Sequence, residues 1–280
     1  MSTVASLRQL PLQRYAVRGA SIAVSCLGES GDPVLFVPGY TGGKEDFVAV
    51  ADDVVAAGFR YLAMDLRGQY ESTGPPDAAS FTIDALAADV RALVAAIGGP
   101  VHLVGHSFGG LVARSGVIAE PGLVRSLTLM ASGPAALPET SARARAIVAL
   151  EPVLHGQGAA AVYDVIEAGN AADPMRAPAT PEVAAFMRRR FLAAHPVGLS
   201  VMGRALLDAE DRVAELRASG VPLLVCHGDL DDTWSPLLQT EMAERLGARH
   251  VVFAGAAHSP AVEAPVATAE ALVDFWRASG

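Results

Sequence analysis

Apolar residues along the chain fall into short, nearly continuous runs that alternate with stretches of helical period. The runs carry little polar alternation, which is typical of strands buried on both faces of a parallel sheet. Between them, apolar residues recur every three to four positions, as in amphipathic helices. The predicted strands are 33–37, 59–65, 101–105, 125–131, 222–228 and 250–255, and the predicted helices are 44–57, 81–97, 108–119, 237–246 and 266–278. This alternation predicts an α/β fold with helices on both faces of a mostly parallel sheet.

Two regions depart from the alternation. Near the start, RYAV and SIAVSCL flank the turn Arg18-Gly19-Ala20 and predict an antiparallel hairpin. Residues 136–211 contain no strand pattern but three helical ones, SARARAIVALEPVL, AAAVYDVIEAG and PEVAAFMRRRFLAAH. This segment has too many apolar residues to be disordered. We therefore expect residues 1–135 and 212–280 to form one core domain and residues 136–211 to form a helical cap inserted in it.

Composition narrows the possible partners. The net charge of −9 disfavours nucleic acid and anionic membranes, which both attract basic surfaces. No apolar stretch approaches the roughly 20 residues needed to span a bilayer, and the first residues lack the pattern of a secretory signal. The only two cysteines, Cys26 and Cys226, give neither a disulfide framework nor a metal-ligand spacing. We expect a cytoplasmic protein that acts on a small-molecule substrate, with no cofactor and no metal.

The stretch VHLVGHSFGG, residues 101–110, joins a predicted strand directly to a predicted helix. Gly-x-Ser-x-Gly in this context is the pattern of a nucleophile elbow, a sharp turn that exposes a serine hydroxyl at the carboxyl edge of a sheet. Ser107 is therefore a candidate nucleophile. The alternative is that the glycines only allow the helix to pack closely against the strand.

A nucleophilic serine needs a histidine base and an acid that orients it. Of the seven histidines, His258 alone lies in a loop that closely follows a late strand. The loop CHGDLDD, at the end of the preceding strand, offers three carboxylates. Asp229 is nearest the strand and is expected to shape the turn, whereas Asp231 is placed to reach back towards His258. Asp232 is the second choice for the acid.

These motifs together resemble those of the α/β-hydrolase superfamily, over nearly the whole chain. The segments that carry the resemblance are FVPGYTGG, MDLRGQYESTGP, VGHSFGG, CHGDLDD and GAAHSP. The resemblance implies an oxyanion hole made by the backbone amides of Tyr40 and Phe108. Two positions depart from the usual family pattern in the loop after the predicted strand 59–65. Gln69 stands where a histidine is usual, and Tyr70 stands where a glycine is usual.

Ser107 distinguishes this chain from the haloalkane dehalogenases and epoxide hydrolases that the fold resembles, because those enzymes attack with aspartate. We expect a carboxylic-ester hydrolase that acts on a small to medium apolar substrate. The same reaction steps would also cleave a lactone or a thioester. The alternatives are a carbon–carbon bond hydrolase, a lyase, or a ligand receptor that retains the triad. The predicted cap contains the apolar residues Met175, Phe186, Met187, Phe191 and Met202. They indicate either an apolar substrate or packing of the cap against the core, since Met and Phe often fill cores.

Arg190 falls in the middle of the apolar stripe of the helix PEVAAFMRRRFLAAH. A guanidinium on such a face requires a partner, because burying it unpaired costs several kcal/mol. One interpretation is that Arg190 pairs with a carboxylate of the core and fixes the cap. The other is that it reaches the pocket and binds a carboxylate or another polar acceptor of the substrate.

Overall fold

The protein is described here by a computed structural model that covers residues 4, 6–172 and 179–280. Within these residues the strands are β1 Leu12–Val17, β2 Ala20–Leu27, β3 Pro33–Val37, β4 Arg60–Met64, β5 Val101–His106, β6 Val124–Met130, β7 Leu223–Gly228 and β8 Arg249–Phe253. They form one sheet in the order β1-β2-β4-β3-β5-β6-β7-β8. The hairpin strands β1 and β2 run antiparallel to their neighbours, and β4 to β8 are parallel throughout. The predicted α/β class is confirmed.

Helices cover both faces of this sheet. They are α1 Ala51–Ala56, α2 Ile83–Ile97, α3 Phe108–Ala119, α4 Ala142–Ala172, α5 Pro181–Ala193, α6 Pro196–Asp208, α7 Val213–Ala218, α8 Pro236–Leu246, α9 Pro260–Glu263 and α10 Pro265–Ser279. Successive residues of a strand point to opposite faces. Leu35 of β3 thus belongs to one apolar cluster, with α2, α3 and α8, and Phe36 belongs to the other, with α1 and α10. Burial on both faces explains why the strands show no polar alternation.

The helical elements differ from the predicted ones in several places. The helix predicted over residues 44–57 is a 3-10 helix, Lys44–Val50, followed by the short α1. The first two helical patterns of the inserted segment form two helical parts of α4, separated as predicted by a break at Gly158, where φ is 83°. Helices α6 and α7 follow without a specific prediction. Met175 lies outside the described residues.

The inserted helices α4, α5 and α6 lie against the loop that follows β3. The Tyr40 hydroxyl in that loop donates to the carbonyl of Leu199 in α6 over 2.9 Å. An apolar cluster that includes Leu154, Tyr163 and Phe191 packs the inserted helices against one another. In a parallel sheet the carboxyl ends of all strands meet at one edge. The inserted helices contact this edge at the loop after β3 and, through a 3.0 Å bond from Arg143 to the Thr233 hydroxyl, at the loop after β7.

Candidate functional site

Ser107 sits alone between β5 and α3, in a backbone conformation that non-glycine residues rarely adopt. Its φ is 55° and its ψ is −121°, a strained geometry of the kind found at functional turns. The flanking glycines make the turn possible. A Cβ at Gly105 would lie 2.5 Å from the carbonyl oxygen of Gly109, and one at Gly109 would lie 2.3 Å from the carbonyl oxygen of Val37. The glycines thus serve close packing, and that packing in turn holds a strained serine at the sheet edge.

The three residues selected from the sequence as nucleophile, base and acid meet in one hydrogen-bonded chain. Nε2 of His258 is 3.0 Å from Oγ of Ser107, and Nδ1 of His258 is 3.0 Å from Oδ1 of Asp231. All three side chains are buried. Nucleophile, base and orienting acid at hydrogen-bond distance are the arrangement that activates a serine hydroxyl for attack.

Asp231 is held by donors from its own loop and from the helix that follows. Oδ1 accepts the Thr233 amide over 2.9 Å, and Oδ2 accepts Nε2 of Gln239 over 2.9 Å. Burial raises the pKa of Asp231, but hydrogen bonds from His258, Thr233 and Gln239 outweigh this effect and leave the pKa below its ordinary value. The carboxyl is therefore ionised at neutral pH and fixed in direction.

The other two carboxylates of this loop have different surroundings. Asp229 accepts the Gly255 amide over 2.8 Å and so joins the loop after β7 to the loop after β8. Asp232 is exposed and accepts a bond from the Thr233 hydroxyl. The structure thus brings Asp231 to His258, and places neither Asp229 nor Asp232 in that position.

His258 is neutral at physiological pH in this setting. Burial lowers its pKa to about 4, although the Asp231 carboxylate opposes the shift, and the charges of Arg143 and His106 lower the pKa further. The backbone carbonyl of His258 accepts Nε2–H of His106 over 2.7 Å. Sequence reasoning did not give His106 a role, because its partner is a main-chain atom 152 residues away, and no side-chain motif reports such a contact.

The amides of Tyr40 and Phe108 lie on the two backbone segments that flank Ser107. Phe108 is the first residue of α3, whose N-terminal amides favour negative charge. The loop with Tyr40 runs beside the elbow, since a Cβ at Gly39 would lie 3.1 Å from Cβ of Ser107. Within the described residues, neither amide donates a hydrogen bond to another group of the protein. Both are available to an oxyanion.

A cavity of about 260 Å³ opens between the inserted helices and the core loops. It contacts Tyr40 in the loop after β3 and Asp232 in the loop after β7. These loops flank Ser107 and Asp231, although Ser107, Asp231 and His258 do not themselves line the cavity. Its polar lining includes Arg143, Glu151 and Arg204. Its apolar lining consists of Ala142, Ala146, Ile147, Leu150, Leu154, Val162, Ile166, Phe191 and Leu199.

Arg190 does not line this cavity. Its Nη1 lies 2.6 Å from Oδ1 of Asp46, and the side chains of both residues are less than 5% exposed. Asp46 in turn accepts the Gly43 amide over 3.2 Å. Arg190 thus ties α5 to the loop after β3, as in the first of the two interpretations of its buried position.

Two further features of the described residues bear on function. They hold no group of three or more histidine, cysteine, aspartate or glutamate side chains arranged to bind a metal ion. No helix among them is long and apolar enough to cross a membrane.

Comparison with known proteins gives one family and many relatives. The model of the alpha/beta hydrolase family matches residues 34–271. The AB hydrolase superfamily protein YisY of Bacillus subtilis is 28% identical over 213 residues, which cover 72% of this chain and 75% of the relative. The chain spans 39% of the length of two Mycobacterium tuberculosis relatives and 32% of a Danio rerio sn-1-specific diacylglycerol lipase.

Among solved structures, a thermophilic esterase from Thermogutta terrifontis superposes with a TM-score of 0.77 at 25% identity, covering 95% of this chain and 99% of the esterase. The enol-lactonase of Burkholderia xenovorans superposes with a TM-score of 0.79 at 23% identity, covering 95% of this chain and 100% of the lactonase. The second likeness shows a shared fold.

Proposed function

Since the chain belongs to the alpha/beta hydrolase family, we propose that it is a serine hydrolase that cleaves a carboxylic ester, lactone or thioester through an acyl-enzyme intermediate. The observation that carries this proposal is the chain of two 3.0 Å hydrogen bonds from Ser107 through His258 to Asp231. It begins at a strained serine beside two backbone amides that donate to no other group in the part of the chain that the structure describes. This combination serves attack on a carbonyl carbon.

In the acylation step, Oγ of Ser107 forms a bond to the carbonyl carbon while Nε2 of His258 takes the hydroxyl proton. The carbonyl oxygen becomes an oxyanion, and the amides of Tyr40 and Phe108 donate to it. Asp231 stabilises the imidazolium that forms and keeps Nδ1 protonated. Collapse of the intermediate breaks the bond to the alcohol, which leaves with the proton returned by His258.

In the deacylation step, water takes the place of the alcohol. His258 removes a proton from the water, the hydroxyl adds to the acyl carbon, and the second tetrahedral intermediate expels Ser107. The proton on His258 returns to Oγ, so that the acid is released and the enzyme is restored. The lowered pKa of His258 keeps the imidazole ready to accept a proton at neutral pH.

The substrate we propose is small to medium in size and apolar, with residues 136–211 acting as a cap. The cavity beside the site supports this, because most of its lining is aliphatic or aromatic. Each methylene that moves from water into such a lining contributes about 0.8 kcal/mol. The cavity has a volume of about 260 Å³, and this volume limits the length of acyl chain that it can bury.

The test is a series of p-nitrophenyl esters, from acetate to dodecanoate, together with a fluorophosphonate probe and intact-mass measurement. We expect one covalent adduct on Ser107. We also expect kcat/KM to rise by up to about fourfold per methylene and then to fall once the chain exceeds the cavity. The matched control is Ser115→Ala, since Ser115 is another buried serine of α3 whose hydroxyl bonds to Asp84 instead of to the site.

The outcomes separate the alternatives. Absence of the adduct would show that Ser107 is not an activated nucleophile. An adduct without turnover of any ester, lactone or thioester would favour the carbon–carbon hydrolase, lyase or receptor alternatives. A KM for anionic esters that rises selectively in Arg190→Gln would place the substrate against Arg190.

A further inference from the structure

The peptide unit between Gly39 and Tyr40 carries the Gly39 carbonyl, which accepts hydrogen bonds from the protein, and the Tyr40 N–H, the proposed donor to the oxyanion. Its carbonyl and its N–H point in opposite directions, because a trans peptide is planar. The Gly39 carbonyl accepts two hydrogen bonds, one from the Gly42 amide over 3.0 Å and one from Nε2 of Gln69 over 2.9 Å. The direction of the Tyr40 N–H is therefore set by what holds the Gly39 carbonyl.

Gln69 is itself fixed at both ends of its amide. Its Oε1 accepts the Leu66 amide over 3.3 Å, which leaves Nε2 to face Gly39. Its backbone N–H donates to the Leu66 carbonyl over 2.9 Å, and its carbonyl accepts the Ser72 amide over 2.8 Å. The side chain is buried, with 1% exposure. Water therefore does not compete for the bond to Gly39.

The loop that Gln69 holds has little stiffness of its own. Residues 38–43 read PGYTGG, and three glycines in six positions leave the backbone many conformations. Its bond to Gly42 lies within the same turn, so it moves with the loop. The bond from Gln69 comes from the loop after β4 and ties the peptide to a neighbouring strand of the sheet.

We propose that Gln69 is a positioning residue for the oxyanion hole: it aims the Tyr40 N–H at the developing oxyanion and strengthens it as a donor. The strengthening follows because a hydrogen bond to a peptide carbonyl polarises the N–H of the same unit. The inference rests on the proposed function, since it needs an oxyanion to form at Ser107. It gives a purpose to a position at which this chain departs from the family pattern.

The first test compares Gln69→Met with Gln157→Met, a change of an exposed glutamine of α4 that does not line the cavity. Methionine keeps the length of the side chain and removes the donor. We expect kcat per active site, counted by fluorophosphonate titration, to fall about 30-fold, less than the 10²–10³ loss seen when an oxyanion donor is deleted. KM should change by less than about twofold, since the cavity is untouched. Gln157→Met should match the wild type.

The second test is the pH profile of Gln69→Glu. When protonated, the new carboxyl donates to the Gly39 carbonyl as the amide did; when ionised, it repels that carbonyl. Burial raises the pKa of such a carboxyl. We therefore expect the ratio of variant to wild-type kcat to rise about tenfold between pH 8 and pH 5. Dividing by the wild-type rate at each pH removes the titration of His258.

Several outcomes would overturn the proposal. If Gln69→Met lowers the melting temperature and the titrated fraction while kcat per active site stays at the wild-type value, Gln69 is only structural. A flat ratio for Gln69→Glu across the pH range leads to the same conclusion. If the wild-type protein is not labelled at all, the proposed function fails and this inference fails with it. Labelled wild type with unaffected variants refutes the inference alone.

Discussion

The two halves of the candidate site are held in different ways. The half with Ser107, Asp231 and His258 lies at the ends of β5, β7 and β8, and two of the donors to Asp231, Thr233 and Gln239, come from within eight residues of it. Residues 38–46, which we call the oxyanion loop after the role proposed for Tyr40, are held by partners far along the chain. Tyr40 bonds to Leu199 across 159 residues, and Asp46 bonds to Arg190 across 144.

Because of this difference, substitutions in the two halves should have different effects on activity and stability. The catalytic half depends on the sheet, so changes there should affect chemistry and leave the fold in place. The oxyanion loop depends on the packing of α5 and α6, so a change there should affect stability and geometry together. In the proposed mechanism, three side chains at strand ends thus face a loop that contacts the inserted helices and Gln69.

The largest expected effect comes from removing the nucleophile. Ser107→Ala should lower kcat for esters by about 10⁶-fold, as loss of the serine does in an enzyme of unrelated fold that has the same kind of triad, and should abolish fluorophosphonate labelling. The melting temperature should stay near that of the wild type, since alanine relieves none of the packing around Gly105 and Gly109. Steady-state kinetics, intact mass and thermal unfolding check this. A labelled Ser107→Ala protein would contradict the assignment.

The next effect concerns the acid. Asp231→Asn should lower kcat by about 10⁴-fold, because the imidazole loses the partner that fixes its tautomer. Asp232→Asn should leave kcat within about threefold, since an exposed carboxylate contributes little. Both variants are measured on the same ester at pH 8. A reversal of the two results would identify Asp232 as the acid.

Most of the fold and one half of the site could be predicted from the sequence. The parallel sheet followed from apolar runs, because residues buried on both faces leave a direct trace in composition. Ser107, Asp231 and His258 followed from short motifs at strand ends, and the structure brings them together. Residues Lys44–Val50 form a 3-10 helix, where the sequence predicted an α-helix. The prediction was wrong because the hydrogen bonds of Asp46 and the burial of Lys44 against Asp65 override local helix propensity.

The other half of the site could be predicted only in part. Helical periodicity showed that Arg190 needs a partner, but that partner, Asp46, depends on how α5 packs against the loop after β3. Gln69 stood out only as a departure from a family pattern, with no indication of what it contacts. In the half with Ser107 and His258, the role of His106 was also missed, because it bonds to the main-chain carbonyl of His258 and main-chain atoms have no sequence signature. Contacts between distant segments account for each of these omissions.

A third prediction tests the tie between the inserted helices and the oxyanion loop. Arg190→Gln leaves the Asp46 carboxylate buried without its charge partner, which costs about 3–5 kcal/mol of folding free energy. If the tie is structural, kcat/KM should fall equally for neutral and anionic esters, together with the melting temperature.

The control for this prediction is the double variant Arg190→Gln with Asp46→Asn. Removing both charges should restore most of the lost stability, since no unpaired buried charge remains. Denaturant unfolding of the wild type, both single variants and the double variant gives the coupling energy. Additive losses would show that the two side chains do not interact, and a loss confined to anionic esters would move Arg190 to the substrate.

The two halves also differ in how their buried groups respond to pH. Burial lowers the pKa of two histidines to about 4. They are His258, in the loop after β8, and His102, within β5. Burial raises the pKa of Asp65, which lies beneath the oxyanion loop, to about 6, although Lys44 opposes the shift. Between about pH 4 and 6.5 the histidines take up protons more readily in the unfolded chain, so they make the fold more stable as pH rises. Asp65 acts with the opposite sign over much of the same range.

The smallest expected effect isolates the histidine contribution away from the reaction centre. His102 is buried in β5, with Nδ1 2.8 Å from the Ser126 hydroxyl and its ring against Phe59 and Trp276. Its stabilising contribution is complete above pH 6.5 and is lost as pH falls towards 4, which amounts to at most about 3 kcal/mol. His102→Gln should therefore flatten the dependence of unfolding free energy on pH in this window, as measured by urea unfolding at half-unit steps.

Ester hydrolysis at pH 8 should stay near the wild-type rate, because His102 contacts neither the triad nor the oxyanion loop. An unchanged slope would mean that His102 accepts a proton in the folded protein as easily as in the unfolded chain, and a rise of stability with pH would then be due to other groups, His258 among them.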